Sequence, residues 1–242
     1  MIADIEQPAL RDAVTRLESN GCEVRGVVCD VADAASVDSA ARQAVDALGN
    51  VHILCNNAGV GGGSGTADIS VGSWRWVLDV NLLGVVYALR AFLPHIRAHG
   101  EGGHIVNTAS MAGLLSQGAM GFSPYTASKH AIVGISEGLR AELAPDRIGV
   151  TVVCPGFVRT RIADAGRNRP ARYGAHAAGP HQAAVAELVQ GGIEPDIVAD
   201  RILAAVRDDE LYVLTHPAYR AAVEARFDRI LAAFDKLEDV SR

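Results

Sequence analysis

Tyr125 and Lys129 stand four residues apart in a stretch with helical spacing, so their side chains share a face. A tyrosine becomes a useful acid–base when its pKa falls from about 10 toward 7, and a neighbouring ammonium favours the phenolate. Taken alone, the pair reads equally well as two residues on a solvated helix. Ser110 follows the apolar run His104–Thr108. At the carboxyl end of a strand its hydroxyl could donate to a substrate oxygen, or simply cap a turn. Asn56-Asn57-Ala58-Gly59 directly follows the run Val51–Cys55, and small residues there let backbone approach a flat ligand closely. Asn81 sits inside an apolar helix, where a buried amide needs partners. Pro155-Gly156 closes the run Val150–Cys154, with Thr160 just beyond it. Asp30 ends Val24–Cys29, and Asp4 ends a short apolar stub. Singly, each of these is an ordinary turn residue.

The elements that must position these groups alternate along the chain. Strands are predicted over Val24–Cys29, Val51–Cys55, His104–Thr108, Val150–Cys154 and Leu211–Leu214. All but the first are nearly continuous apolar runs, which predicts burial on both faces of a parallel sheet. Helices are predicted over Pro8–Asn20, Ala34–Leu48, Trp74–His99, Tyr125–Leu143 and Asp196–Arg207. Asp33 and Gly49 mark the two ends of the second helix. This alternation predicts an α/β, doubly wound parallel sheet. Arg161–Glu194 breaks the rhythm and is read as an irregular lid over the substrate. Apolar residues at 219, 223, 227, 230, 234 and 237 predict a C-terminal amphipathic helix packed on something. No repeat or linker divides residues 1–242, so one domain is expected. Val77–Leu93 is apolar nearly all round. One face can cover the sheet, and the other predicts a two-fold contact in a homodimer or homotetramer.

Composition narrows the function. With 242 residues, 49% apolar and 21% charged, the chain is a folded globular protein, not a disordered one. The net charge is 22 − 28 = −6, and the basic residues, nearly all Arg, are scattered, so no nucleic-acid partner is expected. Cys22, Cys29, Cys55 and Cys154 have neither zinc nor CxxC spacing and read as small buried hydrophobes in a reducing cytoplasm. No metal site is visible: there is no HExxH, and His176 and His181 read as solvated loop residues. Val77–Leu93 is the one membrane suspect, but it carries Asp79, Asn81 and Arg90, so no membrane partner is expected. No signal peptide is visible. Gly61-Gly62-Gly63-Ser64-Gly65 lacks the Lys-Ser/Thr ending of a phosphate loop and reads as a flexible connection.

Together the residues are more specific than any of them singly. The order Asp4, Asp30-Val31, Asn56-Asn57-Ala58-Gly59, Asn81, Ser110, Tyr125-x-x-x-Lys129, Pro155-Gly156-x-Val158-x-Thr160 strongly resembles the classical short-chain dehydrogenases/reductases. The resemblance runs from Asp4 to about Thr215. It implies a Rossmann-like fold and hydride transfer between a nicotinamide cofactor and a secondary alcohol or ketone. By that resemblance Tyr125 is the acid–base, and Lys129 tunes it and holds the nicotinamide ribose. Ser110 binds the reacting oxygen, and Asn81 holds a water of a proton relay. Asn57, Ala58 and Gly59 line the adenine and ribose side, and Asp30 reaches the adenine. Pro155, Gly156, Val158 and Thr160 hold the carboxamide end and the pyrophosphate. Asp4 matches the acid that accepts from the ribose 2′-hydroxyl and repels a 2′-phosphate, which favours NAD over NADP.

One departure stands out. The Gly-rich turn of this family precedes the ribose acid by about 20 residues, and only three residues precede Asp4. The first strand, glycine turn and first helix are therefore expected to be missing, which leaves unpaired edges on both neighbouring strands. Either Met1 is an internal residue of the second strand in a longer chain, or the chain is short and binds dinucleotide poorly. The second case admits a degenerate, non-catalytic binding or assembly module. A remoter alternative is a serine hydrolase, because Gly134-Ile135-Ser136-Glu137-Gly138 fits G-x-S-x-G. That elbow needs a strand before the serine, and Ser136 lies at helical spacing.

Overall fold

Two long apolar strands carry the architecture of this computed structural model, which describes residues 1–61, 66, 68–116, 123–175, 179 and 181–238. β4 (Gly103–Thr108) and β5 (Ile148–Cys154) lie side by side in parallel. Ile105, Val150, Val152, Val153 and Cys154 are completely buried between layers of helices. β3 (Ile53–Asn56) flanks β4, and β6 (Tyr212–Leu214) flanks β5, giving the parallel order β3-β4-β5-β6. β1 (Ile2–Asp4) and β2 (Gly26–Val28) form a separate parallel pair. Among the described residues no strand joins β1 to β3, so both carry the free edge expected of them.

The helices fall on both faces, as the alternation predicts. α2 (Ala34–Leu48), α4 (Gly84–Ala98) and α5 (Ser123–Leu143) pack over one face. α7 (Pro195–Arg207) packs on β4, β5 and β6 from the other, around Val106, Val153 and Val213. α1 (Gln7–Ser19) covers β1 and β2. β3 falls between α1 and α7 on that second face. Leu54 is therefore buried, but Ile53 and Cys55 are exposed. β6, at the other edge, buries only Val213. Two-sided burial, expected for four strands, holds for β4 and β5 alone.

Helix ends follow local chemistry. The Asp33 carboxylate accepts from the Ala35 amide at 3.0 Å, and Gly49 takes φ 71° after the last residue of α2. The single helix predicted over Trp74–His99 is instead α3 (Val71–Leu78), a π-helical turn (Asp79–Leu83) and α4. By length and composition Val71–Ala98 could cross a membrane; here it is a core helix, burying Val77, Val85, Leu89 and Ile96.

Two expectations need correction. Arg161–Glu194 is not irregular throughout: it contains 3₁₀ turns at Ile162–Asn168 and Ala171–Tyr173, then α6 (Gln182–Gln190). Nine residues are too few to show a clear period, although Ala183, Ala184 and Ala186 favour helix. The tail does form a helix, α8 (Arg220–Glu238), but only Tyr219 and Val223 reach the core. Phe227, Ile230, Leu231 and Phe234 are exposed. The Leu237 side chain, Gly62–Gly65 and His176 lie outside the described residues.

Candidate active site

Tyr125 lies in the first turn of α5, and Ser128 and Lys129 follow one turn later. α5 approaches the carboxyl end of β4 closely because Gly113 has no side chain: a Cβ there would come within 2.7 Å of the Lys129 carbonyl oxygen. Ser110, just past β4, accepts from the Ala112 amide at 3.1 Å and hydrogen-bonds the Tyr125 side chain. Lys129 is only 3% exposed. Its Nζ donates to the Thr108 carbonyl at 2.7 Å and stands 5.6 Å from the centre of the Tyr125 ring.

The electrostatics differ from the simple ammonium–phenol pair. Burial pushes the Tyr125 hydroxyl above its ordinary pKa, with the Ser110 bond pulling the other way. Burial pulls Lys129 down to about 8, and no carboxylate offsets it among the described residues. Cys154, buried beneath them at the end of β5, is pushed up to about 12 and stays a thiol. In this state burial outweighs any lowering of Tyr125 by the lysine.

Asn81 sits in the π-helical turn and is 1% exposed. Such wide turns often mark functional positions. Its Oδ1 accepts from the Val60 amide at 2.8 Å. Its Nδ2 donates to the Val60 carbonyl at 3.0 Å and to Ser128 Oγ at 3.2 Å. Ser128 Oγ in turn donates to the Tyr125 carbonyl at 2.7 Å. Asn81 thus clamps the Asn57-Ala58-Gly59 loop to α5 directly. A Cβ on Gly59 would stand 3.5 Å from Asn81 Oδ1 and 3.6 Å from Lys129 Nζ, so this backbone borders the ammonium. Ser110, Tyr125, Lys129, Asn81 and Gly59 therefore converge at one place.

The remaining predicted residues have these partners. Asn57 Oδ1 accepts from Thr108 Oγ1 at 3.0 Å. The Pro155 carbonyl accepts from the Met111 amide at 2.8 Å, and the Gly156 amide donates to His216 Nδ1 at 3.2 Å. Val158 bridges to Ile193. Val31 packs against Gly84 at the start of α4. Asp4 is exposed and accepts from the Glu6 amide at 2.7 Å. Asp30 accepts from the Ala32 amide at 3.0 Å and pairs with Arg172 at 2.9 Å. Thr160 lines a cavity of about 710 Å³ between Arg161–Asp164 and α6, bordered by Gln182 and Gln190.

Several residues were not anticipated. Arg172 on Asp30, and Arg167 and Asn168 on Glu6 at 3.0 and 3.2 Å, fasten the segment after Thr160 to the β1–β2 side. The Tyr173 hydroxyl donates to Asp79 at 2.8 Å, beside the π turn. Asn107 donates to Ser136 Oγ at 3.0 Å and accepts from Asn56 at 2.9 Å. Asn107, a polar residue directly after Ile105-Val106 in the His104–Thr108 strand, was the available signal for that network. Ser136 is completely buried in mid-helix and donates to the Ile132 carbonyl at 2.7 Å, so it is no nucleophile elbow.

A parallel α/β fold with a hydroxyl, a tyrosine and a buried lysine at its carboxyl edge defines a dinucleotide-type oxidoreductase. Comparison with known proteins makes the class specific. The short chain dehydrogenase family model matches residues 1–170. The CLA biosynthesis dehydrogenase/reductase of Lactiplantibacillus plantarum is 34% identical, over 95% of this chain and 83% of that protein. The C alpha-dehydrogenase of a Sphingobium species is 32% identical, over 98% of this chain and 79% of that protein. A short-chain dehydrogenase/reductase from Burkholderia phymatum, solved in complex with NAD, superposes with a TM-score of 0.90. It is 40% identical and covers 96% of this chain and 84% of that one. The chain belongs to the short-chain dehydrogenase/reductase family, and it is a nicotinamide-dependent oxidoreductase.

Proposed function

We propose that the protein interconverts a secondary alcohol and its ketone with NAD, Tyr125 acting as the acid–base. The observation that carries this reading is the convergence of Ser110, Tyr125 and buried Lys129 at the carboxyl end of β4. The fit to a nicotinamide cofactor is chemical. Gly59 presents backbone beside Lys129, and the exposed Asp4 carboxylate ends β1. Lys129 with Tyr125 would hold the nicotinamide ribose, and Asp4 would accept from the other ribose and repel a 2′-phosphate. When bound, NAD supplies the acceptor for the carbinol hydrogen and its two electrons.

Everything else falls to side chains. Ser110 donates to the reacting oxygen and holds it beside Tyr125. In oxidation the phenolate of Tyr125 takes the hydroxyl proton; in reduction the phenol returns it to the carbonyl oxygen. Because burial raises the Tyr125 pKa, alcohol oxidation rises with pH. Asn81 and Ser128 keep the start of α5 in register with the Gly59 loop. The lid Arg161–Glu194 and its cavity beside Thr160 shape the substrate side. Cys29 and Cys154 are buried, but Cys22 and Cys55 are exposed, against the expectation of four small buried hydrophobes; four free thiols still fit a cytoplasmic setting, and the uncovered apolar residues of α8 fit a homo-oligomer.

Tyr125→Phe tests the assignment. Turnover should fall by about 10²–10⁴, the usual contribution of a positioned acid–base, while NAD still binds. Wild-type activity should favour NAD over NADP. Retained turnover in Tyr125→Phe would refute the role.

A further inference from the structure

Three side chains at the far end of the sheet from Tyr125 form a group that the reaction does not use. His52 leads into β3, His99 closes α4, and Glu101 lies in the turn between α4 and β4. One potential ligand atom from each lies within 4.8 Å of the others, the one such group among the described residues. His52 Nε2 is 2.6 Å from Glu101 Oε2, and the two imidazole rings stand 4.6 Å apart between centres. Sequence spacing shows no metal motif because these residues come from two separate turns.

The partners behind these groups are those that orient metal ligands. His99 Nε2 lies 3.0 Å from the Val51 carbonyl, so this nitrogen carries the ring proton and Nδ1 keeps its lone pair. Nδ1 accepts a hydrogen bond from the Glu101 amide at 3.2 Å, which a bound ion would displace. Asn50 Nδ2 donates to Glu101 Oε1 at 3.0 Å and leaves Oε2 facing His52. A backbone carbonyl behind a histidine and an amide behind a carboxylate are the usual outer supports of a metal site. Gly100 and Gly102, at φ 68° and 84°, flank Glu101 in the tight turn that brings it back to His52.

We propose that His52, His99 and Glu101 bind a zinc-class divalent transition-metal ion, with water completing the coordination. Two imidazoles and a carboxylate suit zinc, nickel or copper, whereas magnesium and calcium favour all-oxygen sites. Bonds of about 2.0–2.1 Å place two ligand atoms on one ion about 3 Å apart, so His52 Nε2 and Glu101 Oε2, now hydrogen-bonded at 2.6 Å, part to admit it. The side chains of His52 and Glu101 are 47% and 56% exposed, so they adjust by rotation without repacking. The bound ion ties the amino ends of β3 and β4 to the end of α4. It is structural, and turnover at Tyr125 does not depend on it.

Calorimetric titration of the full chain with Zn²⁺ in a non-chelating buffer tests the site. One equivalent should bind, and His52→Ala and Glu101→Gln should each weaken the Kd by at least about tenfold. Asn50→Ala, which removes only the support, should weaken it by about tenfold. Glu101→Gln preserves shape and keeps one acceptor for Asn50, and circular dichroism verifies that each variant is folded. Stoichiometric Zn²⁺ binding unchanged in His52→Ala and Glu101→Gln would overturn the proposal. So would the absence of binding to the wild type.

Discussion

Replacing Lys129 with methionine exposes the tension between stability and chemistry in this fold. The Lys129 ammonium is 3% exposed, and its pKa is about 8 against an ordinary 10.5. Burial is the chief cause, and the bond to Thr108 does not compensate. At neutral pH the folded chain therefore carries a buried cation, which costs roughly 3 kcal/mol of stability. The folded protein releases this proton near pH 8, while the unfolded chain holds it to 10.5. Between those values the unfolded chain binds more protons, so stability rises with pH. The penalty is full below the folded pKa and is relieved as pH approaches the unfolded one.

Lys129→Met keeps the apolar stem and removes the titration. It also strips the Thr108 carbonyl of its donor, a loss of about 1 kcal/mol, so the change at one pH mixes two effects. The difference between two pH values separates them. Wild-type stability minus variant stability should grow by about 2 kcal/mol from about pH 7 to about pH 10. Tyr125, Tyr173 and Tyr212, whose pKa values are also raised, are present in both proteins. Urea unfolding followed by circular dichroism at both pH values reads the quantity. A difference that stays constant or shrinks with pH would refute the claim that Lys129 is held under desolvation.

Two other substitutions probe the supports of the site. Ser136→Ala removes the acceptor for the buried Asn107 amide, so stability should fall by about 1–3 kcal/mol in urea unfolding. Turnover per folded molecule should be unchanged, and a loss of turnover would revive a chemical role for Ser136. Gly72→Ala places a Cβ on the Tyr173 carbonyl oxygen and should loosen the anchor between Tyr173 and Asp79. At an overpacking penalty of about 1.4 kcal/mol, trypsin should cut at Arg161, Arg167, Arg169 or Arg172 about tenfold faster. An unchanged cleavage rate would count against lid docking through Tyr173.

What sequence could reveal followed the range of the interactions involved. α2 was legible because its boundaries are written locally, in Asp33 and Gly49. β5 was legible because burial on both faces demands a nearly continuous apolar run, while β4 has only Ile105 and Val106 between polar residues, of which His104 and Asn107 find buried partners. β3 looked the same in sequence, yet Ile53 and Cys55 are exposed, since coverage depends on which helices pack on it, and α1 and α7 pack on other strands. The π-helical turn was hidden because it leaves the apolar pattern around Asn81 intact. Tyr125, Lys129, Ser110, Asn81 and Gly59 were each identifiable, and the fold brings them together. Their electrostatic balance was not legible, because spacing gives proximity and says nothing about burial. Asp30 makes the same point across a longer span. In sequence it is a carboxylate at a strand end, free for a ligand. In the fold it is held by Arg172, 142 residues away. A local pattern can nominate a residue for a site, but the group that sets its charge and availability arrives from elsewhere in the chain. The pairings most readily foreseen are therefore those like Tyr125 with Ser110, where the partner is itself at a predictable strand end.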